Sequence, residues 1–386
     1  MRVCKYKCCT RDSSLDKLRS LFFHWNTHVT DLSNALTFKS GAAMPNRFML
    51  APLTNLQSHP DGSLSDDEYR WLTKRAEGGF GLTMTCASHV QAAGSGFPGQ
   101  LGCFSDDHLE GLTRLATGIN VQGSISVLQL HHAGMRSPAD LIGETPQCPS
   151  DNEKTGARGI SHEEVLQLRD DFVAAAVRAA KAGFAGVELH GAHGYMLAQF
   201  LSPTINQRDD EYGGSLENRC RLLLEIIDGV RSQCGEDFLL GVRLSPERFD
   251  IRLAEMQVLA QRLMSEAKID FLDMSLWDSF KEPKEEGFAG KTLLECFTEL
   301  DRGEVRLGTA GKVRSAADAR RCIDAGADFV VVGRSAILHH DFPRQVAVNP
   351  DFEPVANPVS TEYLRKEGLG EAFINYMATW GGFVED

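Results

Sequence analysis

The sequence predicts an α/β protein built on a closed (β/α)8 barrel, the TIM-barrel class. Three observations favour this fold. Short apolar runs recur along the chain, helix-like stretches separate them, and polar residues gather where the runs end. Compact apolar runs are typical of parallel strands that helices cover on both faces. An open, doubly wound sheet shows the same alternation and is the alternative fold.

The predicted strands come from eight apolar runs in the part of the chain that begins at about Met44. Eight repeats of a strand and a helix over about 300 residues are the architecture of a TIM barrel. The runs are 48–52 (FMLAP), 82–86 (LTMTC), 126–130 (SVLQL), 186–190 (GVELH), 239–244 (LLGVRL), 271–275 (FLDMS), 305–310 (VRLGTA) and 329–333 (FVVVG).

Two of the helices between these runs have recognisable boundaries. Ser161 and Glu164 have the spacing of a capping box, and Gly183 offers a stop signal after the helix. Ser315 and Asp318 repeat the cap spacing before a shorter helix. Both segments are therefore predicted to be helices.

The composition excludes several classes of protein. The chain has 386 residues, of which 42% are hydrophobic, and no apolar run reaches membrane-spanning length. Its 40 basic and 53 acidic residues give a net charge of −13, the wrong sign for a nucleic-acid binder. The ten cysteines are scattered and form no CxxC pair, which indicates reduced thiols and a cytoplasmic protein.

Residues 1–35 are predicted to be an N-terminal extension ahead of a single domain at 36–386. The extension begins basic and Cys-rich, and its apolar cluster is too short for the core of a signal peptide. Cys4, Cys8 and Cys9 resemble metal ligands, but no second ligand pair accompanies them. A disordered extension without an assigned function is the favoured interpretation.

A TIM barrel forms its active site where each strand ends and the following loop begins. Polar or small residues occupy this place after all eight runs, and their shared position predicts a site there. At the last two runs, glycine backbone N–H groups and a guanidinium predict a phosphate site. The strand-end residues are Thr54, Ala87, Ser88, Gln129, His190, Arg243, Ser275, Trp277, Gly311, Gly333 and Arg334.

The motif HGAHGY at 190–195 carries the most specific chemistry. His190 and His193 are an incomplete zinc site, so we predict no metal. Two imidazoles at this spacing can instead donate convergent hydrogen bonds to one carbonyl oxygen, and Tyr195 supplies a weak acid beside them. These groups are suited to forming and protonating an enolate.

Two other motifs are interpreted as structural. GSGFPG at 94–99 matches a dinucleotide-binding pattern, but it lacks the strand–turn–helix context that the pattern requires, so a loop is predicted. His131 and His132 are adjacent on an extended segment, where neighbouring side chains point in opposite directions. At most one of them would face the site.

Five segments together resemble the Old Yellow Enzyme family of FMN-dependent oxidoreductases. They occur in the family's order, the resemblance spans about residue 36 to the C-terminus, and the long third segment is its most specific part. The segments are 45–55 (PNRFMLAPLTN), 128–134 (LQLHHAG), 186–219 (GVELHGAHGY to SLENR), 241–247 (GVRLSPE) and 328–334 (DFVVVGR).

The resemblance implies that FMN lies across the barrel mouth of a catalytic domain at 36–386. Thr54 matches the residue that tunes the flavin potential, and Arg243 matches the arginine at the N1–C2 carbonyl edge of the flavin, where a positive charge favours the anionic reduced ring. The residues implied to bind FMN are Ala51, Pro52, Leu53, Thr54, Ala87, Gln129, Arg243, Gly311, Gly333 and Arg334.

The resemblance also implies the reaction. NADPH or NADH reduces the flavin, and flavin N5 then delivers a hydride to the activated C=C bond of a small α,β-unsaturated carbonyl or nitro compound. His190 and His193 hold the substrate oxygen, and Tyr195 protonates the α-carbon. The physiological alkene, the choice of nicotinamide and association into a homo-oligomer are left open by the sequence.

Two other functions stay open, a flavin-dependent amine demethylase and a non-catalytic, flavin-binding redox sensor. Three features depart from the family pattern. Lys312 stands where a second glycine is frequent, and the segment 279–288 after the sixth run is unusually charged. No cysteine follows Cys322, so no iron–sulfur cluster is expected.

Overall fold

The computed structural model describes residues 31–385 and confirms the TIM barrel. All eight predicted runs form strands, which pair in parallel and close in the order β6-β7-β8-β1-β2-β3-β4-β5. The open, doubly wound alternative is wrong because β5 pairs with β6. The strands are β1 Phe48–Leu50, β2 Leu82–His89, β3 Ile125–His131, β4 Gly186–Gly191, β5 Leu239–Leu244, β6 Phe271–Ser275, β7 Arg306–Ala310 and β8 Phe329–Val332.

Helices follow the strands around the outside of the barrel. Within residues 31–385 they are α1 Asp66–Glu77, α2 Leu109–Asn120, α3 Ala139–Ile142, α4 His162–Lys181, α5 Met196–Leu201, α6 Leu216–Cys234, α7 Leu253–Glu266, α8 Glu295–Thr298, α9 Ala316–Asp324, α10 Arg334–Leu338, α11 Phe342–Val348, α12 Thr361–Lys366 and α13 Glu371–Ala378. Short two-residue strands also pair Leu36–Thr37 with Ala43–Met44 and Gln147–Cys148 with Arg158–Gly159.

The two helices predicted from their boundary signals are confirmed as α4 and α9. Ser161 Oγ accepts from the Glu164 backbone N–H, and the Glu164 carboxylate accepts from the Ser161 N–H, which completes the capping box of α4. Ser315 and Asp318 form the same reciprocal pair at α9. Each box satisfies backbone donors that the first helical turn leaves unpaired.

An apolar plug closes the end of the barrel where the strands begin. The rings of Phe38, Phe271 and Phe329 lie 5.7 to 6.2 Å apart and fill the interior beneath the short N-terminal hairpin. Glycine is required at two strand positions here. A Cβ on Gly241 would lie 2.0 Å from the Phe271 ring, and one on Gly308 would lie 2.3 Å from the Phe329 ring.

Toward the other end the barrel interior becomes polar. Strand register places Gln129 of β3 beside Glu188 of β4, and Arg243 of β5 beside Asp273 of β6. His190 of β4 is also beside Arg243. The polar layer therefore lies just below the C-terminal ends of the strands, where the site was predicted.

The predicted extension lies almost wholly outside the described residues, and so do Cys4, Cys8 and Cys9. Leu32 is buried in the barrel core, four positions before the boundary placed at residue 36. Of the helices in residues 31–385, none is long and apolar enough to cross a membrane. The cysteines in this part of the chain are all free thiols.

Candidate active site

One continuous cleft runs across the mouth of the barrel. It consists of a cavity of about 390 Å³ and a second of about 210 Å³, which share Pro52, Leu53, His193 and Trp380 in their walls. Of the predicted strand ends, Ser88 is buried away from this cleft, and its hydroxyl donates to the Cys86 carbonyl. Every residue implied to bind FMN or the substrate lines the cleft. Those residues are Ala51, Pro52, Leu53, Thr54, Ala87, Gln129, His190, His193, Tyr195, Arg243, Gly311, Gly333 and Arg334.

The larger cavity has a basic wall. Arg243 lies at its base, and Lys312, Arg314 and Arg334 lie at the end formed by the loops after β7 and β8. No Asp or Glu side chain is among the residues that line either cavity in the described chain. The cleft is therefore electropositive in a protein whose net charge is −13.

The loop after β7 contains Lys312, which stands where the family frequently has a second glycine. Lys312 adopts the left-handed backbone conformation, with φ of 57°, which a glycine would adopt at lower cost. Its ammonium lies 2.7 Å from Asp278. Gly311 is required for packing, because a Cβ there would lie 2.8 Å from the backbone N and Oγ of Ser279.

The smaller cavity contains the predicted oxygen-binding group. His193 Nδ1 lies 3.2 Å from His190 Nε2, and the centroid of the Tyr195 ring lies 5.1 Å from that of His190. Within residues 31–385, the Tyr195 hydroxyl forms no hydrogen bond, although the side chain lines the cavity. Two imidazole nitrogens and one free phenol thus face the same space.

In each histidine, one ring nitrogen has a hydrogen-bond partner outside the pair that bears on the tautomer. His190 Nδ1 accepts from the Ala192 backbone N–H at 3.4 Å, so the proton of His190 is assigned to Nε2, which faces the cavity. His193 Nε2 lies 2.7 Å from Ser275 Oγ. The two nitrogens that face the cavity are hydrogen-bonded to each other, so with the proton of His190 on Nε2 this bond is donated to His193 Nδ1. An oxygen that accepts from both rings takes the place of this bond, and it requires the Ser275 hydroxyl to donate to His193 Nε2, which puts the His193 proton on Nδ1.

Both histidines are neutral at pH 7. Burial lowers the pKa of His190 well below its ordinary value of 6.5, and the neighbouring His193 and Arg243 lower it further. Burial, then Arg243 and Arg136, has the same effect on the pKa of His193. Neutral rings can donate from one nitrogen without exchanging a proton with the substrate.

His131 belongs to the site, and sequence reasoning treated it as structural. Its ring centroid lies 4.4 Å from that of Tyr195 and 5.3 Å from that of His190. His132 faces the other way and accepts from the Gly134 backbone N–H. The two side chains point in opposite directions, as predicted for adjacent residues of an extended segment. That rule does not tell which of the two histidines faces the barrel mouth.

Beneath the cleft lies a cluster of buried charges. Gln129 Nε2 donates to Glu188 Oε1 at 2.7 Å, and Arg243 Nε lies 2.9 Å from Asp273 Oδ2. Burial, reinforced by Asp273, raises the pKa of Glu188 to about 8, while Arg243 opposes the rise. Burial also raises the pKa of Asp273. One guanidinium thus faces two buried carboxyl groups, of which Glu188 holds a proton at neutral pH.

The structure adds cleft residues for which strand ends give no signal. Tyr376 and Met377 of α13 and Trp380 just after it form one wall, and the loop residue Phe97 forms part of another. The rings of Tyr376 and Trp380 are 5.9 Å apart. The sequence signal for this wall was the four-residue spacing of Tyr376 and Trp380 at the end of a C-terminal helix. The same spacing is also typical of a packed core.

The charged segment 279–288 is held by partners of its own. Lys281 bonds to Glu247 on the loop after β5, and the Lys284 backbone N–H donates to the same carboxylate. Glu285 accepts from the backbone N–H groups of Leu253 and Ala254 at the start of α7. The charges of this segment therefore connect two loops at the barrel mouth.

Comparison with known proteins places these features in a family. The sequence profile of the NADH:flavin oxidoreductase / NADH oxidase family matches residues 31–351. A probable NADH-dependent flavin oxidoreductase of Bacillus subtilis is 34% identical over 364 residues, which cover 91% of this chain and 97% of that protein.

Two solved structures share the fold at 27% sequence identity. The old yellow enzyme homologue of Zymomonas mobilis has a TM-score of 0.74, and the match covers 86% of this chain and 96% of that one. Morphinone reductase in complex with tetrahydroNAD has a TM-score of 0.73, and the match covers 86% of this chain and 93% of that one.

Proposed function

Because the chain belongs to the NADH:flavin oxidoreductase / NADH oxidase family, which includes the Old Yellow Enzymes, we propose that it reduces electron-poor C=C bonds of α,β-unsaturated carbonyl or nitro compounds. It is an oxidoreductase that uses FMN with NADH or NADPH. The single observation that supports this substrate class is the convergence of His190, His193 and Tyr195 on one cavity beside the basic cleft.

The residues of the cleft fit FMN. Gln129 Oε1 is buried and has no hydrogen-bond partner among the described residues, so an acceptor is available for a ring N–H. Arg243 offers N–H donors and positive charge to the carbonyl edge of a flavin. At the far end, Arg314 and Arg334 supply the positive charge that a phosphate requires.

In the proposed complex, Ala51, Pro52, Leu53, Thr54 and Ala87 line the ring, and Gly311 and Gly333 lie with Arg334 at the phosphate. When bound, FMN supplies the hydride that it has taken from NAD(P)H to the β-carbon of the alkene. The protein groups orient the alkene, stabilise its developing charge and deliver a proton.

His190 and His193 bind the substrate oxygen. As hydride adds to the β-carbon, negative charge moves to this oxygen, and two fixed N–H groups stabilise that charge at little cost of reorganisation. Because both rings stay neutral, the enolate or nitronate remains an anion until a separate acid protonates its carbon. The two histidines therefore lower the barrier to hydride transfer but do not protonate the product of that step.

Tyr195 is the proposed acid for the α-carbon. Its hydroxyl is free of hydrogen bonds within the described chain, so no internal bond must break before the proton is transferred. The ring is held between His131 and Arg136, whose guanidinium carbon lies 4.8 Å from the centroid of the tyrosine ring. A positioned acid of this kind contributes about 10²- to 10⁴-fold to the rate.

An anaerobic assay with purified holoenzyme tests the proposal. With NADPH or NADH and cyclohex-2-enone, we expect one cyclohexanone for each nicotinamide consumed. Release of formaldehyde from an N-methylamine, without enone reduction, would support the amine demethylase instead. In a parallel assay in air, where oxygen is the oxidant, reoxidation of the flavin at the same rate with and without enones or nitroalkenes would support a redox sensor.

A further inference from the structure

The rim of the cleft beside Tyr195 carries two arginines. The Arg136 guanidinium lies over the Tyr195 ring and donates one hydrogen bond to the His193 backbone carbonyl. On the opposite loop, the Arg248 guanidinium carbon lies 4.2 Å from the centroid of the Trp277 ring, and Trp277 itself lines the cleft. Both arginines are exposed, and neither lines the two cavities of the described chain, but each stacks on an aromatic side chain that does, Arg136 on Tyr195 and Arg248 on Trp277.

A single aromatic ring connects the two arginines. The guanidinium carbons of Arg136 and Arg248 each lie 5.9 Å from the centroid of Phe249, which follows Arg248 in the loop after β5. Stacking on aromatic rings orients a planar guanidinium while leaving its edge N–H groups accessible. The two guanidinium groups thus contact the same ring, and most of their donors have no partner in the described chain.

Neither arginine is neutralised by the protein. In the part of the chain that the structure describes, Arg136 and Arg248 form no ion pair, whereas other arginines near the barrel mouth, such as Arg208 and Arg243, each pair with a carboxylate. The walls of the adjacent cavities carry no Asp or Glu. Two unpaired cations beside an acid-free cleft favour an anionic ligand, since a guanidinium can bind a carboxylate through two parallel hydrogen bonds.

These arginines are separate from the cations assigned to FMN. Arg314 and Arg334 line the larger cavity at the loops after β7 and β8, whereas Arg136 and Arg248 lie on the loops after β3 and β5. The charge of Arg136 also contributes to lowering the pKa of His190 and of His193. Arg136 thus lies beside the reacting groups, and Arg248 lies against Trp277 in the wall of the larger cavity.

We propose that Arg136 and Arg248 form a subsite for an anionic group of the alkene substrate, such as a carboxylate. The inference rests on the proposed function and narrows its substrate class to activated alkenes that carry a negative charge away from the reacting bond. The His190–His193 pair binds the activating oxygen, and the two arginines bind the distal anion.

Matched substrates test the subsite. The probes are 4-(4-carboxyphenyl)but-3-en-2-one, its 3-carboxy isomer and the methyl ester of each acid. The esters lack the negative charge and keep the enone. For the wild-type holoenzyme we expect a higher kcat/KM for at least one acid than for its ester. In Arg136→Gln/Arg248→Gln, this acid-to-ester ratio should fall about tenfold or more, the scale of one charge-assisted hydrogen bond.

Two further variants control for folding and for net charge. Arg136→Lys/Arg248→Lys keeps both charges and should recover part of the acid preference. Lys39→Gln/Lys268→Gln removes the same charge near the start of the strands, where Lys39 bonds to the Ala267 carbonyl, and should retain the wild-type ratio. An equal loss of preference in this control would overturn the subsite.

The outcomes separate the subsite from the proposed function. Reduction of the esters with no preference for either acid would overturn the subsite alone. An acid-to-ester ratio that is unchanged in the glutamine variant, or a loss confined to the KM for NAD(P)H, would also overturn it. Failure of the wild-type enzyme to reduce any of the four enones would instead contradict the proposed function.

Discussion

Arg243 and Asp273 are neighbours on strands β5 and β6, and Arg243 Nε lies 2.9 Å from Asp273 Oδ2 with both side chains buried. Neither atom forms a hydrogen bond within residues 31–385. The contact is therefore ionic without the alignment of a hydrogen bond. Asp273 holds the arginine in the barrel interior, while Arg243 also lines the cleft above.

The first prediction uses a second buried pair as its control. Arg231 and Asp270 form a buried ion pair at the start of the strands, away from the cleft. Arg243→Gln and Arg231→Gln should each destabilise the fold by about 3 kcal/mol in urea unfolding, because each leaves a buried carboxyl without its cation. Only Arg243→Gln should also weaken binding of FMN, measured by quenching of flavin fluorescence. Equal FMN affinities would contradict the role of Arg243.

The second prediction concerns the pH dependence of stability. The pKa of Glu188 is raised to about 8 in the folded protein, so the folded state binds a proton that the unfolded state releases near pH 4.5. The stabilising contribution of this proton is complete at low pH and is lost as pH rises toward 8. Glu188→Gln keeps a neutral acceptor for Gln129 and should be more stable than wild type by at least about 1 kcal/mol at pH 8.5.

The advantage of Glu188→Gln should shrink as the pH is lowered to 5. Urea unfolding at both pH values measures the change. Glu110→Gln, on the exposed face of α2, is the control and should follow the wild type throughout. If the difference between Glu188→Gln and wild type were the same at pH 5 and pH 8.5, Glu188 would not hold the proton.

Ser275 is predicted to select the tautomer of His193. Ser275→Ala removes the hydroxyl 2.7 Å from His193 Nε2, so the proton is no longer directed to Nδ1. The kcat/KM for an enone should fall about tenfold, the cost of weakening one hydrogen bond to a charged oxygen. Ser275→Thr keeps the hydroxyl and should recover activity.

Nitrogen-15 NMR of labelled histidine gives a direct readout of this role, because the two ring nitrogens of each tautomer have distinct shifts. In the wild type bound to a phenolate or enone analogue, His193 should carry its proton on Nδ1, and in Ser275→Ala this population should fall. An unchanged tautomer together with full activity would show that Ser275 only packs against the ring.

The sequence was sufficient for the barrel because parallel strands and their ends leave local signals. Each apolar run is short and uninterrupted, and the capping boxes at Ser161 and Ser315 mark the helices between them. The strand-end rule then brought distant residues to one site, for example Gln129 and Arg334. The motif HGAHGY placed His190 near the end of β4 and His193 and Tyr195 in the loop that follows it.

Other parts of the site depend on contacts between distant loops. Arg136 reaches Tyr195, and Trp380 closes both cavities from beyond the last strand, yet neither position has a local pattern that sets it apart. The left-handed backbone of Lys312 also has no signal in its residue type, because a lysine disfavours that conformation. Three-dimensional packing imposes these features.

Tyr195 is proposed to protonate the substrate carbon. The variant Tyr195→Phe tests this role because it removes only the hydroxyl. The ring contacts with His131 and Arg136 remain, so the fold and the flavin site should persist. Because the proton is needed only after hydride reaches the alkene, reduction of the flavin by NADPH should proceed at nearly the wild-type rate. Strongly activated nitroalkenes should be affected less than enones, since their nitronates form without concerted protonation.

The decisive measurement is anaerobic stopped-flow spectroscopy of the two half-reactions at 25 °C, with flavin absorbance as the signal. For Tyr195→Phe we expect nearly unchanged bleaching by NADPH and reoxidation by cyclohex-2-enone slowed about 10²-fold or more. Equal slowing of both half-reactions, or enone reoxidation at the wild-type rate, would contradict the proposed role of Tyr195.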